Sequence, residues 1–578
     1  MERSLRKALR LEGWGLGLAI TLLAAAYGAL QNGLWWPGSD SEVYLSVARS
    51  LAQGEGYRFN GQPIPWLTPG YPMLLALLFT FTSSFWVISL LNMILLLAWA
   101  AIWWCVIRRL SNGVTATLVI IVVGLLFDSF RLSVLAFTDP LYGVMFASSV
   151  LLAITLQKDA DGGYLSWPQW LFRAVAMLGL LVLSCAVRPV GVMNWLVPAA
   201  FLVGGLLRPR LERHWLLAAM SGVCSIATYL AIKWGVQTMS GVQATVAEEP
   251  AMEVATNRKT PRLYDYVDVV PLEMIQQTPV GISELFWPPL RIAAAAAPVA
   301  LLSTVVGSVA LLVFALFAMH RAFRRGEAWG LAVLALVLVL GARRGEVNPR
   351  YLLQFTPLLL LGVVCGLRTC IVLFGGRSGT RHDRLMVAAV LATILLANLP
   401  LLFMEVRVAR SHDFYGHYRA GQSADMLRIS EHLRRNAEPR DTVATNSRYT
   451  AYGSLRSNTL TVRELHLLTR LPVDRIRMRR LKDDAERSVH RTCEFARGQG
   501  YDWYVHRPEP TPWRIYHFRA PGLQERITNE KPVHQAEYFV LYRITDTGHK
   551  RVILPQSYTP IERVPLLGSR VSDFSSSE

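Results

Sequence analysis

The sequence predicts an α-helical polytopic membrane protein of about eleven spans, followed by a C-terminal α/β domain on the outer side. Three observations predict it. The 578 residues are 52% hydrophobic and only 17% charged, where a soluble chain carries about a quarter charged. The apolar residues gather into runs near the ~20 residues that cross a bilayer as a helix. The loops between them alternate between basic and non-basic, the pattern of cytoplasmic and outer loops.

Predicted spans cover about 14–34, 86–107, 113–130, 140–157, 171–187, 189–207, 215–236, 290–319, 328–341, 351–371 and 385–404. The basic start MERSLRKALR precedes a run too long for a signal h-region, and WWPGSD is a poor cleavage site, so the first run is a retained span. The segment 71–82 is too short to cross. It reads as a re-entrant or interfacial helix, or as an extension of the next span. Arg3, Arg6, Lys7 and Arg10 place the N-terminus in the cytoplasm. Counting spans then puts Arg108/Arg109, Lys158, Arg208/Arg210/Arg213, Arg321/Arg324/Arg325 and Arg377/Arg381/Arg384 on that side too.

The chain therefore divides into a membrane part, 1–404, with outer loops 35–85 and 237–289, and an outer domain, 405–578. In the latter, Met426, Ile429 and Leu433 mark one face of a helix over 423–435. Strand-like runs lie at 441–445, 502–506 and 537–544, with a second helix over about 480–498. This mixture gives the α/β expectation.

The net charge of +18 is met by anionic lipid, and no nucleic-acid-binding motif accompanies it, so no nucleic-acid partner is expected. The six cysteines are scattered, without CxxC or Cys/His spacing, so no metal site is assigned.

Chemistry is sought where charge meets the membrane, because ionisable groups beside hydrocarbon are costly. Ser39-Asp40-Ser41-Glu42 opens a stretch in which Tyr44, Val47, Ala48 and Leu51 recur at helical spacing. That spacing predicts an amphipathic helix on the outer membrane surface. Ser39 and Glu42 form a capping box in one reading, with Asp40 favoured by the helix dipole. In the other reading Asp40 is a catalytic carboxylate held firm by the helix start. Asp139, in FTDPLYGVMF, is either the N-cap before Pro140 or a second carboxylate at the outer end of a span. Two carboxylates facing one cavity divide the work of a general base and an acceptor-orienting group. Arg58, Arg188, Arg343, Arg344 and Arg350 fall on the outer side, against the positive-inside trend. Singly each reads as a snorkelling or structural arginine. As a set beside acidic groups they form a phosphate site, since guanidinium makes paired hydrogen bonds to phosphate oxygens.

These residues resemble the C-type (GT-C) polytopic glycosyltransferases, in the bacterial branch of the lipid A aminoarabinose transferases and relatives of protein O-mannosyltransferases. The first-loop pattern reads here as Asp40-Ser41, Tyr44, Ala48, GEGYRFNG and Pro69-Gly70-Tyr71-Pro72. Asp139-Pro140, Arg188-Pro189 and Arg350-Tyr351-Leu352-Leu353 match the later motifs, and the likeness spans about residues 10–405. The resemblance implies an outer-face active site in a bacterial inner membrane protein. The donor would be a sugar on polyprenyl phosphate and the acceptor a glycolipid, polysaccharide or protein. It also implies Asp40 as base or acceptor-activating group, and basic residues on the lipid phosphate. Glu42, Tyr44, Tyr71 and Tyr351 would contact the remaining substrate. Some relatives use a divalent metal and others do not, so a metal stays open. The rival reading, a lipid or solute transporter, requires ionisable groups near the midplane and repeated, broken helices. The spans are nearly free of charge and no internal repeat is visible, which favours the enzyme. A non-catalytic envelope scaffold is disfavoured by the acid–base cluster.

Overall fold

The computed structural model describes residues 2–32, 41–59, 62–63, 67–82, 84–162, 166–188, 191, 194, 227, 231, 282–283, 285–287, 297–325, 352–373, 381–411, 443–445, 503–506, 540–545 and 548–552. The predicted spans 189–207, 215–236 and 328–341 lie outside or almost wholly outside these residues, as do the predicted helices 423–435 and 480–498. The described helices are α1 (Glu2–Gly28), α2 (Ser41–Ala52), α3 (Gly70–Phe79), α4 (Phe85–Leu110), α5 (Gly113–Gly124), α6 (Phe127–Leu132), α7 (Asp139–Gly162), α8 (Trp167–Val187), α9 (Ala297–Arg325), α10 (Thr356–Leu373) and α11 (Arg381–Ser411). Strands β1 (Arg58–Phe59) and β2 (Gln62–Pro63) form a hairpin in the first loop.

Among the described residues, four helices are long and apolar enough to cross a membrane unaided: Trp86–Leu110, Asp139–Leu156, Trp167–Val187 and Val387–Arg407. Large apolar side chains stay exposed on the outer faces, among them Leu18, Val309, Leu312, Leu396 and Phe403. In water such a surface would aggregate; in a bilayer it faces acyl chains.

Packing fixes the direction of each helix. Gly15 of α1 lies so close to α5 that a Cβ there would fall 2.6 Å from Thr117 Oγ1. Further along, Tyr27 donates to Gly124 O at 3.0 Å, so α1 and α5 run parallel. Asn398 of α11 accepts from Phe127 N (2.8 Å), and Asn32 donates to Ala409 O (3.2 Å). These contacts bring the ends of α1, α5 and α11 together with α6. The opposite end of the bundle carries Arg108 and Arg109, in the last turn of α4, and the first residues of α11. Among the described helices, α1 and α5 thus run one way and α4 ends at the opposite side, as the loop charges predict for these three.

The predicted span 113–130 is broken. Helix α5 stops at Gly124, Leu126 is extended (φ −64°, ψ 143°) and α6 begins at Phe127. The cause is Asn398, whose side-chain oxygen takes the Phe127 N–H that a continuous helix would use internally. A backbone donor freed inside a membrane needs such a partner.

Helix α2 also departs from expectation. It is buried on two sides rather than lying with one face in the membrane surface. Val43 and Val47 pack with Tyr57 and Leu67, while Leu45 and Ala48 pack into the main core beside Tyr71. Its glycine-rich tail has a conformational role: Gly54 stands at φ +77°, where other residues are strained, and turns the chain towards β1.

Beyond α11, β3 (Val443–Thr445), β4 (Trp503–His506), β5 (Val540–Thr545) and β6 (Gly548–Val552) form one sheet in that order. β3 and β4 are parallel and the remaining pairs antiparallel. The parallel pair needs a crossover connection, and the helix predicted over 480–498 falls in the sequence between the two strands. The first three strands coincide with the predicted runs; β6 was not anticipated.

Candidate active site

The site forms where α7 begins and α8 ends. Asp139 is the first residue of α7 and is fully buried, at 0% exposure. Thr138, not Asp139, takes the capping position, because Tyr142 N donates to Thr138 O at 2.9 Å. The carboxylate is left to face Arg188, which ends α8 in an extended conformation with its N–H on Ser184 O. Arg188 Nη1 donates to Asp139 Oδ1 as a buried ion pair.

Both charges sit where helix dipoles favour them. Asp139 is at an N-terminus, which attracts anions, and Arg188 at a C-terminus, which attracts cations. Antiparallel neighbours bring two such ends together. Taking two ions out of water costs several kcal/mol each, so the arrangement requires good geometry and further hydrogen bonds. Those are present. The guanidinium lies 5.6 Å from the Tyr142 ring centre, a favourable cation–π distance. Tyr142 donates to Asn194 Oδ1 (2.7 Å), and Asn194 Nδ2 donates to Ser184 Oγ (2.9 Å). Gln354, just before α10, donates to the Asp139 carbonyl at 3.0 Å.

The first loop is stitched to the same place. Thr68 donates to Val187 O at 2.8 Å, next to Arg188. Gly70 lies against α8, where a Cβ would fall 2.9 Å from Ala186 O. Tyr71 donates to Asn92 Oδ1 (3.3 Å), and Asn92 donates to the carbonyl of Leu135, in the segment leading to Asp139. The Tyr44 ring meets Tyr71 edge-on with centres 5.5 Å apart. Tyr57 donates to Leu67 O (3.0 Å), and its phenol is pushed well above its ordinary range, first by burial and then by Tyr44.

Of the residues expected from sequence, Asp139, Arg188, Tyr71 and Tyr44 thus belong to one connected region. Arg58 is exposed on β1, and among the described residues its side chain makes no hydrogen bond or ion pair. Glu42 belongs to α2, with its side chain outside the description; Asp40, Arg343, Arg344, Arg350 and Tyr351 lie outside the described residues. Sequence reading missed Asn92, Tyr142, Asn194 and Gln354. It also missed Glu405, which is fully buried in α11 and lies 3.7 Å from Arg131. The signal was available: Asn92, Gln354 and Glu405 each interrupt an apolar run, and polar groups at membrane depth are kept for partners or function.

No group of three His, Cys, Asp or Glu side chains is placed to hold a metal among the described residues.

The bundle and its buried pair define a polytopic helical membrane protein with a charged site at one end. Solved structures resolve the fold further. ArnT from Cupriavidus metallidurans bound to undecaprenyl phosphate superposes with a TM-score of 0.53 at 13% identity, over 86% of this chain and 93% of that one. The archaeal oligosaccharyltransferase AglB from Archaeoglobus fulgidus, in complex with an inhibitory peptide and a dolichol-phosphate, gives 0.51 at 12% identity, over 86% and 69%. ArnT in the apo state gives 0.51 at 12% identity, over 86% and 93%. No protein-family model and no curated protein matches the sequence. The chain has the fold of the GT-C glycosyltransferases that its motifs resemble.

Proposed function

We propose that the chain is a membrane glycosyltransferase that moves a sugar from a polyprenyl-phosphate donor to a glycolipid, polysaccharide or protein acceptor on the outer face of the inner membrane. The observation that carries this reading is the buried Asp139–Arg188 pair, at one end of a bundle sharing its fold with a transferase bound to undecaprenyl phosphate. An acceptor hydroxyl or amine attacks the anomeric carbon, and the bond to the phosphate oxygen breaks. Asp40 takes the acceptor proton, and Asp139 supports the acceptor side. Arg188, with Arg58 and Arg350, stabilises the charge growing on the departing phosphate, an electrostatic role aimed at the transition state. Arg343 and Arg344 add to the same basic field. The N-terminus is cytoplasmic, and the region after α11 is periplasmic.

A strain lacking the chain tests this. Mass spectrometry of its envelope lipids and glycans should show a missing sugar, restored by the wild-type chain and not by Asp40→Asn. An envelope unchanged by the deletion would sink the reading.

A further inference from the structure

Gln354 is 3% exposed and interrupts the apolar run YLLQFTPLLLL. A buried side-chain amide is retained where it has partners. Its Nε2 reaches the carbonyl of Asp139 across the bundle (3.0 Å). That carbonyl lies in the first turn of α7 and belongs to the residue whose side chain holds Arg188. The amide reaches it through a slot that Gly143 leaves open. A Cβ at 143 would lie 2.2 Å from Gln354 Oε1 and 2.9 Å from Trp99 Cδ1. The slot is walled by Trp99 of α4 and floored by α7, and beside it Phe355 meets Phe146 edge-on at 5.0 Å. A leucine at 354 would pack as well in such surroundings, so packing alone does not explain the amide.

We infer that Gln354, in the slot made by Gly143, is a positioning residue that fixes the first turn of α7 and thereby holds Asp139 and Arg188 in register for the donor phosphate. The inference rests on the transferase reading for its kinetic consequence, though its structural half does not. Gln354 does not touch the reacting atoms. It acts through the Asp139 backbone, so its loss loosens the Arg188 contact with the donor phosphate in the bound donor and in the transition state.

Full-length protein in nanodiscs tests this with two variants. Gln354→Leu removes the donor and keeps the bulk. Gln354→Met removes the donor with an unbranched side chain of similar length and leaves Gly143 in place, which keeps a folded variant in hand if the first is unstable. Both should lower kcat/KM for polyprenyl-phosphate sugar about three- to tenfold, the weight of one hydrogen bond, with part of the loss appearing as a raised KM. Loss of folded protein would instead lower apparent kcat and leave KM alone. As a readout apart from transfer, the coupling between Asp139 and Arg188 in a thermal-unfolding double-mutant cycle should shrink when Gln354 is leucine. Unchanged KM and unchanged coupling in both variants overturn the inference. Wild-type protein that neither transfers sugar nor binds undecaprenyl phosphate overturns the transferase reading, while a shrunken coupling would still support the positioning role.

Discussion

Replacing Arg188 by alanine should do more harm to the fold than a surface phosphate ligand would. From sequence, Arg188→Ala is expected to cost a charge-assisted donor contact, about 1.5–3 kcal/mol, and to weaken donor use more than folding. The burial of the ion pair argues for a larger effect on folding. Asp139 is fully buried and Arg188 nearly so. Removing the guanidinium strands a buried carboxylate without its counter-ion, which costs about 3–5 kcal/mol. Loss of the Tyr142 contact adds to this, about 0.5–2 kcal/mol. Arg188→Lys should fall between, because it keeps the charge and loses the planar fork. The double variant Asp139→Asn with Arg188→Met removes both charges and should be more stable than Arg188→Ala alone. Thermal unfolding of the purified chains in one detergent measures all four. If Arg188→Ala melts like wild type, or the double variant is no more stable than Arg188→Ala, the pair does not organise this end of the bundle.

Asn398→Ala should destabilise by about 1–3 kcal/mol and speed amide exchange at Phe127, whose N–H it would orphan; exchange unchanged at Phe127 would mean another cause breaks α5 from α6. Tyr57→Phe should cost about 1 kcal/mol through the lost bond to Leu67 O. The raised phenol pKa means that the folded state holds its proton more tightly. Wild-type stability should therefore fall as pH rises above 10, and the phenylalanine variant should lack that contribution. Alkaline phosphatase fused after residue 410 should be active and a fusion in the 373–384 segment inactive; the opposite result would invert the orientation and put the site in the cytoplasm.

The membrane class was legible because it rests on long apolar runs, a local property of the sequence. The Asp139 and Arg188 motifs were legible as residues, but their pairing was not. Each was read in a separate role, acceptor side and donor phosphate, and only the antiparallel packing of α7 on α8 shows that the two charges meet. The α5–α6 break was illegible for a similar reason: its cause, Asn398, is remote in sequence from Phe127. Helix α2 was mistaken for a one-sided surface helix because periodicity reports one face at a time, whereas Val43 and Leu45 are covered by different partners.

Transfer by purified protein tests the central claim most directly. Wild type and Asp40→Asn are reconstituted in liposomes with labelled polyprenyl-phosphate sugar and an envelope extract as acceptor, and free polyprenyl phosphate is followed with time. Asparagine remains a good residue at a helix start, so a capping Asp40 would tolerate the change, with a loss within about 1 kcal/mol from the dipole. A general base would not, since its contribution is typically ~100- to 10,000-fold. The account predicts release by wild type and near-complete loss in a normally inserted Asp40→Asn; near-normal release by that variant, or none by wild type, would contradict it.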